Sequence, residues 1–154
     1  DMLSGTVEVD ETYIGGTRRM NVKMENKTPV IGMVERKGRI KVKKVPNRHT
    51  HIVLDTIKGN IKTGSHLMTD EFGVYKKTVK LGYSRESIKH VAKEYVRNDV
   101  HTNTIEGFWS QLKRSIHGTY HSVSPKYLQL YADEFAFRYN HRASLPFLAL
   151  LGKI

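Results

Sequence analysis

Four side chains in this sequence have the types and spacing for chemistry at phosphorus. Asp10 falls late in an alternating segment, Asp70 closes a short apolar run, and Glu106 stands in the first turn of an amphipathic segment. Thirty-five residues separate Asp70 from Glu106, and Lys113 follows seven further on. Acids at the ends of buried strands are costly unless a cation neutralises them. A divalent ion does this: Mg²⁺ takes a few carboxylates with water and phosphate oxygens, and a pair of ions can clamp the attacking and leaving oxygens of a phosphodiester. Seven helical steps return to within about 20° of the same direction, so Lys113 lies two turns along from Glu106, placed to grip a phosphate. Each acid also has a plain structural use. Asn103-Thr-Ile-Glu106 is a capping-box pattern, Asp70 could cap a helix beginning near Phe72, and Asp10 shares an acidic strand end with Glu8 and Glu11.

Composition supplies the substrate side. The 154 residues carry 26 Lys and Arg against 15 Asp and Glu, a formal charge of +11. Such an excess attracts a polyanion, most commonly nucleic acid; the plainer reading is a basic protein kept soluble by its charge. DNA would also need the acids neutralised, which bound cations achieve. Basic residues that could meet DNA are Lys113, Arg114, Arg138 and Arg142, and further Arg18, Arg19, Lys23, Lys76, Lys77 and Lys126; His101 and Asn103, just ahead of Glu106, could do so too, a surface-loop histidine being the plainer reading of His101. His117 and His121 have a zinc-like spacing, but Gly118 weakens a helix there and a third ligand is missing. Trp109 could stack on a base, yet its place in an apolar stripe favours core packing. Cys is absent, excluding disulfides and thiolate zinc sites. No apolar run reaches the ~20 residues of a membrane span, and no signal-peptide pattern opens the chain, so neither a membrane nor a secretory destination is expected.

The elements that must hold these residues follow from periodicity. Thr6–Tyr13 alternates as a strand and ends at Gly15-Gly16. Segments 29–34 and 39–43 read as a hairpin turning at Lys37-Gly38. Thr50 is the expected N-cap of a helix carrying Ile52, Leu54, Ile57 and Ile61. Segment 65–70 reads as a strand, and Phe72, Tyr75 and Val79 mark a helix stopped by Gly82. Arg85–Val91 reads as one more strand, and 92–102 as a surface loop. Ile105, Phe108, Trp109, Leu112 and Ile116 form the stripe of a strong helix. Ser124-Pro125 opens a last helix with Tyr127, Leu128, Tyr131, Phe135 and Tyr139 inward. The sum is one α/β domain, a mixed sheet with covering helices.

The Asp10, Asp70, 35-residue gap, Glu106 and Lys113 series resembles the DD(35)E pattern of DDE transposases and retroviral integrases. Surrounding words sharpen the likeness: Val9-Asp-Glu-Thr-Tyr-Ile-Gly-Gly16, Thr69-Asp-Glu-Phe72, His101-Thr-Asn-Thr-Ile-Glu-Gly-Phe-Trp-Ser110, Leu112-Lys-Arg114, Gly118-Thr-Tyr-His121 and Glu134-Phe-Ala-Phe-Arg-Tyr-Asn-His-Arg142. Together they resemble the catalytic domain of ISXO2-like insertion-sequence transposases of the IS1595 family, over nearly the whole chain. The resemblance implies a ribonuclease H-like fold with a mixed five-stranded sheet flanked by helices. It implies two Mg²⁺ or Mn²⁺ ions held by Asp10, Asp70 and Glu106, with Lys113 as the accompanying basic residue. Water would cut a transposon strand at its end, and the freed 3′-OH would attack target DNA directly. Synapsis of two ends implies a dimer or higher assembly on DNA. Relatives often carry an N-terminal zinc ribbon that recognises the ends. With the first aspartate at position 10 and no Cys, residues 1–154 are expected to be a single catalytic core without that region. Two rival readings remain: a metal nuclease of the same fold that does not join strands, and a domain that only binds DNA.

Overall fold

The alternating segment becomes the central strand of the sheet. The computed structural model describes residues 1–15, 27–87, 101–120 and 123–143. Its strands are β1 (Thr6–Ile14), β2 (Thr28–Glu35), β3 (Ile40–Lys44), β4 (His66–Thr69) and β5 (Ser84–Ser87), in spatial order β3-β2-β1-β4-β5. β1, β2 and β3 run antiparallel in sequence, whereas β4 joins β1 in parallel and β5 joins β4 in parallel. This is the ribonuclease H-like mixed sheet.

Side chains alternate across it. Val7 and Val9 of β1, with Ile31 and Met33 of β2, pack under α1 (Thr50–Asn60) and a 3₁₀ helix over Gly73–Leu81. Ile14, Val30, Val34, Ile40 and Val42 pack on the opposite side under α2 (Asn103–Ser115) and α3 (Leu128–Asn140). The α2 stripe is as its period requires: Ile105, Phe108, Trp109 and Leu112 are buried, and Ile116 continues it into a π-helical turn over Ile116–Tyr120.

Several local expectations shift. Helix α1 is entered from His49, not Thr50, because Asn47 Oδ1 accepts the His49 N–H at 2.9 Å and turns the chain earlier. The segment after Asp70 is a 3₁₀ helix, whose three-residue turn buries Tyr75 and Thr78 and leaves Val79 56% exposed. Gly82 ends it with φ +91°, the left-handed stop expected of it. Helix α3 begins at Leu128, after a turn in which Tyr127 N–H bonds to Ser124 C=O, so Tyr127 faces solvent. Leu128 is buried as expected, with small Ala132 and Ala136 rather than aromatic rings beside it, and Tyr131, Phe135 and Tyr139 pack partly buried against them. β5 spans only Ser84–Ser87; residues 88–100, Gly16, Arg18, Arg19, Lys23 and His121 lie outside the described residues.

The β3 edge of the sheet is closed by α3. Asn140 accepts from Ile40 N–H at 2.7 Å and donates to Ile40 C=O at 3.0 Å. Gln129 accepts from Lys44 N–H at 2.7 Å and donates to Val42 C=O at 2.9 Å. Two carboxamides three helical turns apart thus substitute for a neighbouring strand.

Candidate metal centre

Register brings the first two aspartates together. β1 and β4 pair in parallel through Val7↔Leu67 and Glu8↔Met68, so two more steps along each strand reach Asp10 and Asp70. Asp10, Glu11 and Asp70 offer carboxylate oxygens within 4.8 Å of one another. The cluster lies just past the end of β4 and midway along β1, where the parallel pairing of the two strands stops.

The three acids are not equivalent. Glu11 points to the α1 side, where both its oxygens are engaged: Arg48 Nη1 donates to Oε1 at 2.9 Å and the Tyr75 hydroxyl to Oε2 at 2.5 Å. Burial, followed by the Glu11 charge and hydrogen bond, raises the Tyr75 pKa well above its usual value, so the hydroxyl stays a donor. Arg48 in turn lies over the rings of Tyr13 and Phe72, 5.0 Å from each centroid. Asp70 uses Oδ1 to accept the Phe72 N–H at 2.9 Å, the turn-capping role open to it from sequence. Its backbone carbonyl is held by Arg85 Nη2 at 2.8 Å, while Arg85 Nε donates to Thr69 Oγ1 at 2.8 Å. Asp70 therefore forms the turn ahead of the 3₁₀ helix, whose N-cap is Phe72, and is also a member of the cluster.

Asp10 carries the unrelieved charge. Burial, then the neighbouring carboxylates of Glu11 and Asp70, raise its pKa to about 7, against which the Glu11 N–H and Trp109 work. Trp109 Nε1 donates to Asp10 Oδ2 at 3.1 Å. The indole reaches this position because Gly32, opposite Asp10 on β2, has no side chain; a Cβ there would sit 2.5 Å from Trp109 Cζ2 and from Ile105 Cδ1. Trp109 is thus buried, as its stripe implies, and also bonded to the site.

Helix α2 turns one face toward this cluster. Glu106, Trp109 and Lys113 stand at i, i+3 and i+7, within about 60° of one another. Burial chiefly lowers the Lys113 pKa, Lys27 lowers it further, and the Asp10 charge pulls it upward. Glu106 does not join the mutually close oxygens of Asp10, Glu11 and Asp70. Its Oε1 accepts the Thr102 hydroxyl at 3.0 Å, a side-chain pair that caps no backbone N–H, so the capping box expected over Asn103–Glu106 does not form. Asn103 N–H donates to His101 Nδ1 at 3.4 Å, placing both residues at the helix entrance. Arg114 is exposed on α2.

Arg138 and Arg142 stand elsewhere. They line a cleft of about 300 Å³ between α2 and α3 with Phe108, Gln111, Phe135 and Tyr139. Arg138 pairs with Glu134, and Arg142 lies over the Tyr139 ring at 4.1 Å.

Sequence reading missed Glu11 as a cluster member and missed Arg48, Arg85 and Gly32. Glycine inside a buried strand does signal a close approach. The arginines give no such signal, since their partners are distant in the chain.

The donor set suits a hard divalent cation: carboxylate oxygens without thiolate or imidazole, around an acid whose negative charge is under-compensated. Among the described residues, no helix is long and apolar enough to cross a membrane. No curated protein matches the chain. The family model for the ISXO2-like transposase domain matches residues 2–140, nearly the whole length, and the chain belongs to that family of insertion-sequence DNA transposases.

Proposed function

We propose that this chain is a DDE transposase catalytic core that cuts DNA at element ends and joins the freed 3′-OH to target DNA. The observation that carries the reading is the meeting of Asp10 and Asp70 under the helix that bears Glu106 and Lys113. In this reading Asp10, Asp70 and Glu106 hold two Mg²⁺ or Mn²⁺ ions, which when bound supply Lewis acidity to the phosphodiester oxygens. Trp109 fixes the orientation of Asp10 through its indole N–H. Glu106 exchanges the Thr102 hydroxyl for the cation site. The Lys113 ammonium grips a substrate phosphate, and Arg114, His101 and Asn103 extend the DNA contact along α2. Arg138 and Arg142 hold DNA at the α2–α3 cleft. Water first breaks a P–O3′ bond, leaving a 3′-OH; that hydroxyl then attacks a target phosphodiester, one P–O bond forming as another breaks. No protein nucleophile takes part. Two element ends require two or more copies assembled on DNA.

The test is a joining assay in Mn²⁺, with an oligonucleotide bearing a free 3′-OH and a supercoiled plasmid. Joined product is expected. Asp70→Asn should abolish both nicking and joining, a loss of at least about 1,000-fold, with DNA binding retained. Nicking without joining would leave a nuclease, and unchanged nicking by Asp70→Asn would remove the acids from the reaction.

A further inference from the structure

Glu8 stands two residues before Asp10 on the same face of β1 and is fully buried, at 0% exposure. Its Oε1 accepts the backbone N–H groups of Thr104 at 2.9 Å and Ile105 at 3.4 Å, in the first turn of α2. Helix starts ordinarily receive this service from a side chain of the N-cap residue itself. Here the N-cap is Thr102, and its hydroxyl is turned to Glu106 instead.

Arg36 completes the arrangement. Its Nη2 donates to the His101 carbonyl at 3.1 Å, and its Nε lies 3.8 Å from Glu8 Oε2. Both Nε and Oε2 are buried without a hydrogen-bond partner. Their separation is too long for a hydrogen bond. Such a loosely closed ion pair is a poor stabilising device, because desolvation of both charges opposes their attraction. Its geometry has a different product: it ties the chain from His101 to Ile105, with Glu106 next in line, to the strand that carries Asp10.

We propose that Glu8, assisted by Arg36, is a positioning residue for Glu106. It locks the start of α2 to β1 and so sets the point from which the Glu106 carboxylate reaches a cation held by Asp10 and Asp70. The inference rests on the reading of Glu106 as the third metal-holding acid.

A double-mutant cycle on Mn²⁺ affinity, measured by calorimetry on the full chain without DNA, tests it. Glu8→Gln keeps an acceptor oxygen for Thr104 and removes the charge facing Arg36. Glu106→Gln should weaken Mn²⁺ binding at least tenfold. Glu8→Gln should weaken it three- to tenfold when Glu106 is present and leave it unchanged in the Glu106→Gln background. Equal weakening in both backgrounds would make Glu8 a general structural residue and overturn the proposal, as would unaltered affinity in the single variant. An unchanged affinity for Glu106→Gln alone would instead remove Glu106 from the site, and the positioning role with it. Should Glu8→Gln not fold, Arg36→Gln probes the same contact from the other side, with the same pattern expected.

Discussion

Two boundaries of this sheet treat polar groups in opposite ways. Along β3, Asn140 and Gln129 of α3 meet the outward amides and carbonyls of Ile40, Val42 and Lys44 at 2.7–3.0 Å. Where the β1–β4 pairing stops, by contrast, carboxylates crowd together and the Asp10 pKa is raised to about 7. Glu11 shows that the fold can neutralise an acid here, with Arg48 and Tyr75. Asp10, one residue earlier, has no cationic partner this close among the described residues; the Glu11 N–H and the Trp109 indole N–H bond to it instead. One boundary satisfies its polar groups within the fold, while the other leaves an acid under-compensated, which is what the proposed cation site requires.

The largest expected effect comes from making the acidic boundary resemble the satisfied one. The folded pKa of Asp10 lies above its unfolded value of 3.8, so the folded chain binds the extra proton between about pH 4 and 7. Its ionisation therefore penalises folding in full above pH 7, and the penalty fades as pH falls toward 4. Asp10→Asn should stabilise the metal-free chain by roughly 2–4 kcal/mol at pH 8, with a smaller gain at pH 5. Urea unfolding with chelator at both pH values checks this, and saturating Mn²⁺ should reverse the ranking. A gain that does not depend on pH would mean that Asp10 charge is not what separates the two boundaries.

A smaller effect is expected where the two regions touch. Gly32→Ala places a methyl 2.5 Å from Ile105 and Trp109, so α2 must shift or the ring must turn. About 1–3 kcal/mol of stability should be lost, as overpacking of a tight core typically costs. Trp109 fluorescence should report the displacement. The smallest effect belongs to the satisfied boundary. Asn140→Ala leaves Ile40 N–H and C=O without their partners and should cost about 1–2 kcal/mol, Gln129→Ala somewhat less, with Mn²⁺ binding unaltered in both. Altered metal binding in either would show that the boundaries are coupled.

Much of this was legible from one dimension. Alternation in Thr6–Tyr13 and the stripe from Ile105 to Ile116 marked a strand and a strong helix; Val7 and Val9 do share one core face, while the polar side of the strand, with Glu8 buried, lies under α2. Asp10 and Asp70 stood out as acids late in their strands; Asp70 does follow the end of β4, Asp10 lies midway along a longer β1, and pairing of the two strands brings them together. The 3₁₀ helix was read as an α-helix because Phe72, Tyr75 and Val79 fit the longer period, although Tyr75, Thr78 and Leu81 fit the shorter one equally well. Strand order was not readable, since periodicity fixes which way side chains face but not which strand is adjacent. The roles of Glu8 and Arg48 were hidden for a similar reason: each depends on a partner about 40 to 100 residues away, at Thr104 and at Glu11.

The α3 cover over β3 bears on how the chain is made. Leu128–Asn140 is the last described element, so β3 and its neighbours leave the ribosome well before Gln129 and Asn140 can reach them. During that interval, and in any proteolytic fragment ending ahead of Leu128, Ile40–Lys44 offers a bare template to strands of other molecules. Lys41, Lys43 and Lys44 then act as gatekeepers, their mutual repulsion discouraging self-association until translation delivers the helix.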